Sequence, residues 1–366
     1  MNENRYCVIM AGGSANHFWP ISRKSRPKQF LDADGSGKSF IRKTYERFAG
    51  IIPAENILVV TLSRFAGLVK EQIPEIDDCN ILMEPYGRNT APCILFSTCE
   101  VLRRNPDAVI VTTPADHAIN DEDAFRNDML SIMEHAENNQ VLMTLGILPT
   151  APETNYGYIQ VTGGRGSVEE KRPVKVKTFV EKPDSNLAEV FCKSGEFLWN
   201  SGIYAWKASL IKEELEKYTP EVISMFKGIE DALGTAYEQA FLERAYSDCP
   251  KISIDYGVME NTDRAWLYPG SFGWQDADTW ESIMRNMDDK DPAGNVFHAA
   301  HTLKAEDSGT LLMTDGSHGK KLYAIKGLKD YIIIDTDDAL LICPRDDKQY
   351  KDLLSGLGMP EYEDFR

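Results

Sequence analysis

Cys7-Val8-Ile9-Met10-Ala11-Gly12-Gly13 is the stretch that decides the fold: an apolar run feeding directly into a pair of glycines. Such a run reads as a buried strand that delivers its carboxyl end to a tight turn. The same cadence recurs at Ile57-Leu58-Val59-Val60-Thr61, Ala108-Val109-Ile110-Val111-Thr112 and Val141-Leu142-Met143-Thr144-Leu145. Helical patterns over 39–48, 91–104 and 124–137 lead into these three strands. Continuous apolar strands spaced by helices predict an α/β fold with a mostly parallel sheet covered on both faces. Ligands of such sheets bind beyond the carboxyl ends of the strands, which places 11–19 and 113–117 at the edge of the expected site.

Further along, the pattern becomes mixed. Strands are expected at 158–161 and 174–180, and helices at 208–217, 220–233 and 236–246. After Pro292-Ala293-Gly294 the chain changes character. Short strands at 310–313, 322–325, 331–335 and 339–343 are punctuated by Gly and Asp, and a helix follows near 347–354. Two domains are therefore expected: 1–290, and a small C-terminal β domain over 295–366.

Composition narrows the function. With 40 basic and 57 acidic residues the formal net charge is 40 − 57 = −17, which argues against nucleic acid or an anionic membrane surface as a partner. No apolar run approaches the ~20 residues of a membrane span, and the polar start of the chain lacks a signal-peptide core. Seven cysteines without a Cys-x-x-Cys pair point to scattered thiols in a reducing, cytoplasmic setting.

Against that acidic background, Ser22-Arg23-Lys24-Ser25-Arg26-Pro27-Lys28-Gln29-Phe30 carries four cations within six positions. A glycine pair lets backbone N–H groups approach a phosphate closely. A cation cluster just downstream reads as charge compensation for a polyanion. Pro27, with its fixed φ, helps to aim Lys28.

These residues resemble the signature of the sugar nucleotidyltransferases, specifically the mannose-1-phosphate guanylyltransferases. The match begins with Ala11-Gly12-Gly13, Phe18-Trp19-Pro20-Ile21-Ser22-Arg23 and Pro27-Lys28-Gln29-Phe30. It continues in the family's order through Glu84-Pro85, Arg88-Asn89-Thr90-Ala91-Pro92, Pro114-Ala115-Asp116-His117 and Tyr156-Gly157-Tyr158-Ile159. Phe179-Val180-Glu181-Lys182-Pro183, Trp199-Asn200-Ser201-Gly202-Ile203-Tyr204, Ser253-Ile254-Asp255-Tyr256-Gly257 and Phe272-Gly273-Trp274-Gln275-Asp276 complete it. The resemblance implies a Rossmann-like nucleotidyltransferase domain that makes GDP-mannose and pyrophosphate from GTP and mannose 1-phosphate.

It also implies roles. Asp116 and Asp276 would hold Mg²⁺ (or Mn²⁺), for which hard carboxylate oxygens are suited. Lys28 and His17 would contact the triphosphate, with Asp116 completing the catalytic set. Ala11, Gly12, Gly13, Glu84, Asn89 and Pro114 would bind nucleotide. Gly157, Glu181, Lys182, Asn200 and Asp255 would bind the sugar phosphate, Asp255 being equally readable as a buried structural carboxylate. A homodimer is expected from the β appendage.

The sequence departs from the family at three places. Ala15 stands for a glycine, His17 for an arginine, and Asp278 adds a carboxylate next to Asp276. Histidine is only partly charged near neutral pH and lacks the bidentate fork of arginine. The loop Ala15-Asn16-His17 with Asp278 therefore motivates an alternative, a catalytically impaired GDP-mannose-binding regulatory homologue. Asp276-Ala277-Asp278 read as an Asp-x-Asp motif motivates a third, a metal-dependent glycosyltransferase. The His298–His301 spacing has no third ligand close in sequence, so a metal site there is disfavoured.

Overall fold

Aliphatic and β-branched residues crowd the runs read as strands, and each of those runs forms one. The computed structural model describes residues 1–13, 17–277, 279–287, 289–316 and 319–366, apart from the side chains of Arg165, Ser167, Asn286 and Asp347. Its strands begin with β1 (Arg5–Met10), β2 (Ile57–Leu62), β3 (Ile81–Glu84), β4 (Val109–Pro114), β5 (His117–Ile119) and β6 (Leu142–Ile147). They continue with β7 (Tyr158–Val161), β8 (Val174–Val180), β9 (Phe197–Lys207), β10 (Ala265–Gly270) and β11 (Trp274–Asp276).

Nine of these form one sheet in the order β3-β2-β1-β4-β9-β6-β10-β8-β7. β1 to β4 are parallel to one another, as are β6 and β10. β9 runs against β4, β6 and β7, and β8 against β10 and β7. Seven of the nine strands thus point one way, and the sheet is mixed but mostly parallel. The reversed β9 sits in the middle, buried on both faces, with Tyr204 and Trp206 at 1% and 0% exposure. Its apolar run carries no trace of direction, because burial on both faces removes alternation from parallel and antiparallel strands alike.

Helices flank the sheet where the periodicity predicts, shifted by a residue or two at their ends. Thr90–Arg104 is buried along most of its length, and Glu122–Asn138 begins where the Asp121 side chain accepts from the Ala124 N–H at 2.9 Å. That bond satisfies one of the free amides of a helix start. The helix expected over 220–233 is divided into Pro220–Met225 and Ile229–Ala232. Gly228, at φ 89°, takes a left-handed conformation between the two pieces.

The chain forms two compact units, one of 1–12 with 44–274, the other of 13–43 with 275–366. The sequence reading draws its line between 290 and 295; by internal contact the second unit also takes 13–43 and 275–294. Phe18 and Phe40, both nearly fully buried, pack in that unit's core with Trp280, Val296, Leu311 and Ile334. The second unit continues with β12 (Val296–His298), β13 (His301–Ala305), β14 (Leu311–Thr314), β15 (Leu322–Lys326), β16 (Tyr331–Asp335) and β17 (Leu340–Pro344). β12, β14 and β16 are parallel in one sheet, β13 and β15 in another. Successive strands alternate between the two, so each turn of chain adds one rung to both, as in a solenoid. β17 then folds back antiparallel on β16. No helix among the described residues is long and apolar enough to cross a membrane.

Trp280 is fully buried, and its ring meets Phe18 edge-on at 5.0 Å. Trp280→Ala is expected to destabilise the protein by about 3–5 kcal/mol, the usual cost of removing a buried aromatic. Denaturant unfolding measures it, and a loss under about 1 kcal/mol would contradict this packing.

Candidate functional site

In the first unit the site begins where β1, β2 and β4 end together. The Ala11 N–H donates to the Val60 carbonyl at 2.8 Å, and Ala115 N–H to the Met10 carbonyl at 3.1 Å. The Thr61 hydroxyl donates to the Ala11 carbonyl at 3.0 Å. Gly12 follows, where a Cβ would stand 3.3 Å from Glu84 Oε2. Glu84, the last residue of β3, is only 4% exposed and accepts from the Tyr246 hydroxyl at 2.9 Å. Burial pushes its carboxyl up to about 7, against the pull of the tyrosine hydrogen bond. Pro114 closes β4, with Gly202 (φ 69°) close enough that its Cβ would lie 3.6 Å from the proline ring.

Asn89 takes φ 71° and caps the Thr90–Arg104 helix, its side chain accepting from Thr90 N–H at 2.9 Å. With ψ at −170° this backbone lies in a region that glycine dominates, so Asn89 is a strained position held by its surroundings. Arg88 turns to main-chain carbonyls, those of Tyr246 at 2.7 Å and of Ser247. The same helix start is tied to another segment: Ile254 N–H donates to Thr90 Oγ1 at 2.8 Å, and Ala91 N–H to the Ile252 carbonyl at 3.0 Å. Asp255 follows directly.

Around Asp255 stands a second polar cluster. Asn200 on β9 donates through Nδ2 to Asp255 Oδ1 at 2.8 Å and to the Tyr204 hydroxyl at 2.9 Å, and the Tyr204 hydroxyl donates to Asp255. Part of the Asp255 surface reaches solvent, yet its carboxyl is enclosed, and burial raises its pKa despite these donors. Gly157, just before β7, leaves room for Glu181: a Cβ there would fall 2.4 Å from Glu181 Oε2 and 3.3 Å from Asn200 Cβ. Glu181 Oε2 is buried without a hydrogen-bond partner among the described residues. Burial, then the neighbouring Asp255 charge, pushes this carboxyl up to about 7. The exposed Lys182 adopts φ 46° between β8 and Pro183. A non-glycine residue held in that region signals a constrained position. A row of edge-on rings, Trp199–Tyr156 at 5.2 Å, Tyr156–Trp274 at 5.3 Å and Trp274–His117 at 5.3 Å, leads from β9 to β5. Asp116, part-buried, occupies the bend between β4 and β5.

In the second unit Lys28 lies in a single 3-10 turn, Lys28–Phe30, behind Pro27. It is 7% exposed, with Nζ 3.7 Å from Asp276 Oδ1. His17 and Phe18 open the turn that leads there. Gly13 is open, with nothing within 4 Å of a Cβ.

Residues 6–291 match the nucleotidyl transferase family. The chain belongs to that family. It is 36% identical over 350 residues to mannose-1-phosphate guanylyltransferase RfbM of Salmonella typhimurium, covering 93% of this chain and 70% of the relative. It is 34% identical over 345 residues to mannose-1-phosphate guanylyltransferase of Escherichia coli, with the same coverage of each. The crystal structure of mannose-1-phosphate geranyltransferase from Thermus thermophilus superposes with TM-score 0.83 at 29% identity, over 97% of this chain and all of that one. This nucleotidyl transferase is accordingly an enzyme of the mannose-1-phosphate guanylyltransferase group, with the α/β fold the sequence motifs imply.

Within this nucleotidyl transferase the expected residues divide by unit. Glu84, Gly12, Asn89 and Pro114 end or follow adjoining elements of the first unit, and Gly157, Glu181, Asn200 and Asp255 gather in it. Both amide hydrogens of Asn200 are engaged by Asp255 and Tyr204, so this side chain positions the carboxylate. Two of the four cations of the basic cluster are ion-paired within the second unit. Arg23 pairs with Asp338 at 2.6 Å and Lys24 with Glu363, acids of the C-terminal segment that the local sequence around the cluster gives no hint of. Ala15, Asn16 and Asp278, on which the alternative readings rest, lie outside the described residues. His298 sits on β12 beside Asp289 at 2.5 Å, and His301 opens β13 in the other sheet. Sequence reasoning misses Tyr246 and Tyr204, whose hydroxyls donate to Glu84 and Asp255. Tyr246 lies 162 positions from its partner Glu84, so nothing local signals it.

Glu84 provides a pH test with a definite sign. Its carboxyl is raised from 4.5 to about 7 in the folded state. The stability it contributes is full below about pH 4.5 and is lost as the pH rises through about 7. Glu84→Gln should lessen the fall in unfolding free energy between about pH 5 and pH 8, and be the more stable protein at the upper end. Identical slopes for both proteins in denaturant titrations would refute a buried, raised carboxyl.

Proposed function

We propose that this nucleotidyl transferase joins GTP and α-D-mannose 1-phosphate to give GDP-mannose and pyrophosphate. In the reaction a phosphate oxygen of the sugar phosphate attacks the α-phosphorus of GTP. The bond from that phosphorus to the bridging oxygen of the β-phosphate breaks, and pyrophosphate departs. Both reactants are anions, so the work of the protein is positioning and neutralisation.

The observation that carries the reading is the buried, unpaired Glu181 Oε2, for which the missing side chain of Gly157 makes room. An acceptor withheld from water and from the protein is costly unless a ligand supplies the donor, and a sugar hydroxyl is such a donor. Asp255 is a second acceptor, fixed by Asn200 and Tyr204. Lys182 pairs with the sugar phosphate. Glu84 suits the N–H donors of guanine, Gly12 and Gly13 permit close approach of phosphates, and Lys28 with His17 faces the triphosphate. Asp116 and Asp276 are the ligands we assign to Mg²⁺ or Mn²⁺, since part-buried carboxylates at a strand end and a strand bend have the hard-oxygen chemistry these ions take. Bound there, the ion supplies neutralisation of the phosphate oxygens. The seven cysteines are all free, in keeping with a cytoplasmic enzyme.

A panel of the four nucleoside triphosphates against several hexose 1-phosphates, with Mg²⁺ and a pyrophosphate readout, tests the assignment. GTP with mannose 1-phosphate is expected to be the preferred pair, and absence of pyrophosphate from that pair would overturn it. Asp116→Asn and Asp276→Asn should each lower kcat by roughly 10²–10³ while unfolding like the parent. Gly157→Ala should raise KM for the sugar phosphate well above that for the nucleotide, since its methyl enters the Glu181 space; equal effects on both would place the sugar elsewhere.

A further inference from the structure

The loop from His17 to Gln29 has almost no regular structure of its own, with one 3-10 turn at Lys28–Phe30 and an isolated bridge between Arg23 and Arg26. Yet it carries Lys28, whose placement within a fraction of an ångström governs a positioning-dependent reaction. What holds it is the far end of the chain, all within the second unit. The Trp19 carbonyl accepts from Trp280 Nε1 at 3.2 Å and from the Tyr350 hydroxyl at 3.0 Å. Trp19 Nε1 in turn donates to the Phe365 carbonyl at 2.8 Å. Arg23 pairs with Asp338, whose carboxylate is also held by the Thr336 hydroxyl at 3.0 Å. Lys24 pairs with Glu363, to which Arg366 is bound at 3.0 Å. The Arg23 guanidinium stands 5.9 Å over the Trp19 ring, so both anchors bear on one aromatic.

We propose that the segment Pro360–Phe365 is a strap that positions the Lys28 loop for the triphosphate, with Glu363 and Lys24 as positioning residues. This rests on the nucleotidyl-transfer reading for its kinetic consequence, but the strap itself is a property of the fold. Both charges of the Lys24–Glu363 pair are about half exposed, so it acts as one pin among several. The strap loosens by degrees, and the nucleotide side of the reaction should feel it while the sugar side does not.

A charge-reversal cycle tests it. Lys24→Glu and Glu363→Lys should each raise KM for GTP by about three- to ten-fold, leave KM for mannose 1-phosphate within about two-fold, and recover together in the double variant. Wild-type kinetics in both single variants, or a double variant no better than either, would overturn the proposal. A second measurement needs no turnover. Removing residues 360–366 should speed trypsin cleavage after Arg23 and Lys24 by about ten-fold or more, as expected for a loop released to open locally. Cleavage at the parent rate would also overturn it. If the parent protein releases no pyrophosphate from GTP and mannose 1-phosphate, the functional reading fails, and the trypsin comparison still decides the strap.

Discussion

A carboxylate taken out of water must be held in place, and the way Asp255 is held organises the candidate site of the first unit. Tyr204 and Asn200 reach it from β9, the reversed strand at the middle of the sheet. The backbone just before it is clamped to the start of the Thr90–Arg104 helix through Ile252 and Ile254. That helix start also bears Asn89, and it follows β3, which ends in Glu84. The two ends of the candidate site are therefore one construction: the segment that leads into Asp255 is bonded to the helix start that bears Asn89. Moving either would break the hydrogen bonds that tie the two together.

Much of this is legible in the sequence because it depends on local pattern. Strands β1, β2, β4 and β6 announce themselves as apolar runs, β7 and β8 fall on the expected residues, and the glycine turn after β1 needs no tertiary information. The spaced motifs locate Glu84, Gly157, Glu181, Asn200 and Asp255 with their order intact. What escapes is whatever depends on distant partners. The antiparallel setting of β9 leaves no mark in a run of mostly buried residues. The engagement of Arg23 and Lys24 by Asp338 and Glu363 joins positions more than 300 apart, where charge counting over a short window sees only a basic patch. Asn200 illustrates the same limit at one residue. Its identity suggests a ligand contact, while the structure commits its amide to Asp255 and Tyr204.

The second unit shows how a chain builds rigidity around an irregular segment. Its two short parallel sheets and the Phe18–Trp280–Phe40 cluster form a frame, and the loop bearing Lys28 is attached to it through Trp19 and Arg23. A loop can be precise without secondary structure when its polar groups are satisfied by fixed neighbours.

The donors around Asp255 are already committed, which bears on selectivity. Asn200 has spent both of its donors and Tyr204 its one, leaving Glu181 Oε2 open. A sugar ring bound there, as proposed above, would supply through its hydroxyl groups the hydrogens that the Glu181 and Asp255 oxygens accept. A deoxygenated or methylated ring would strand a desolvated oxygen instead of covering it. Discrimination of that kind comes from what the wrong guest leaves uncompensated, and it exceeds what shape alone achieves in an apolar pocket.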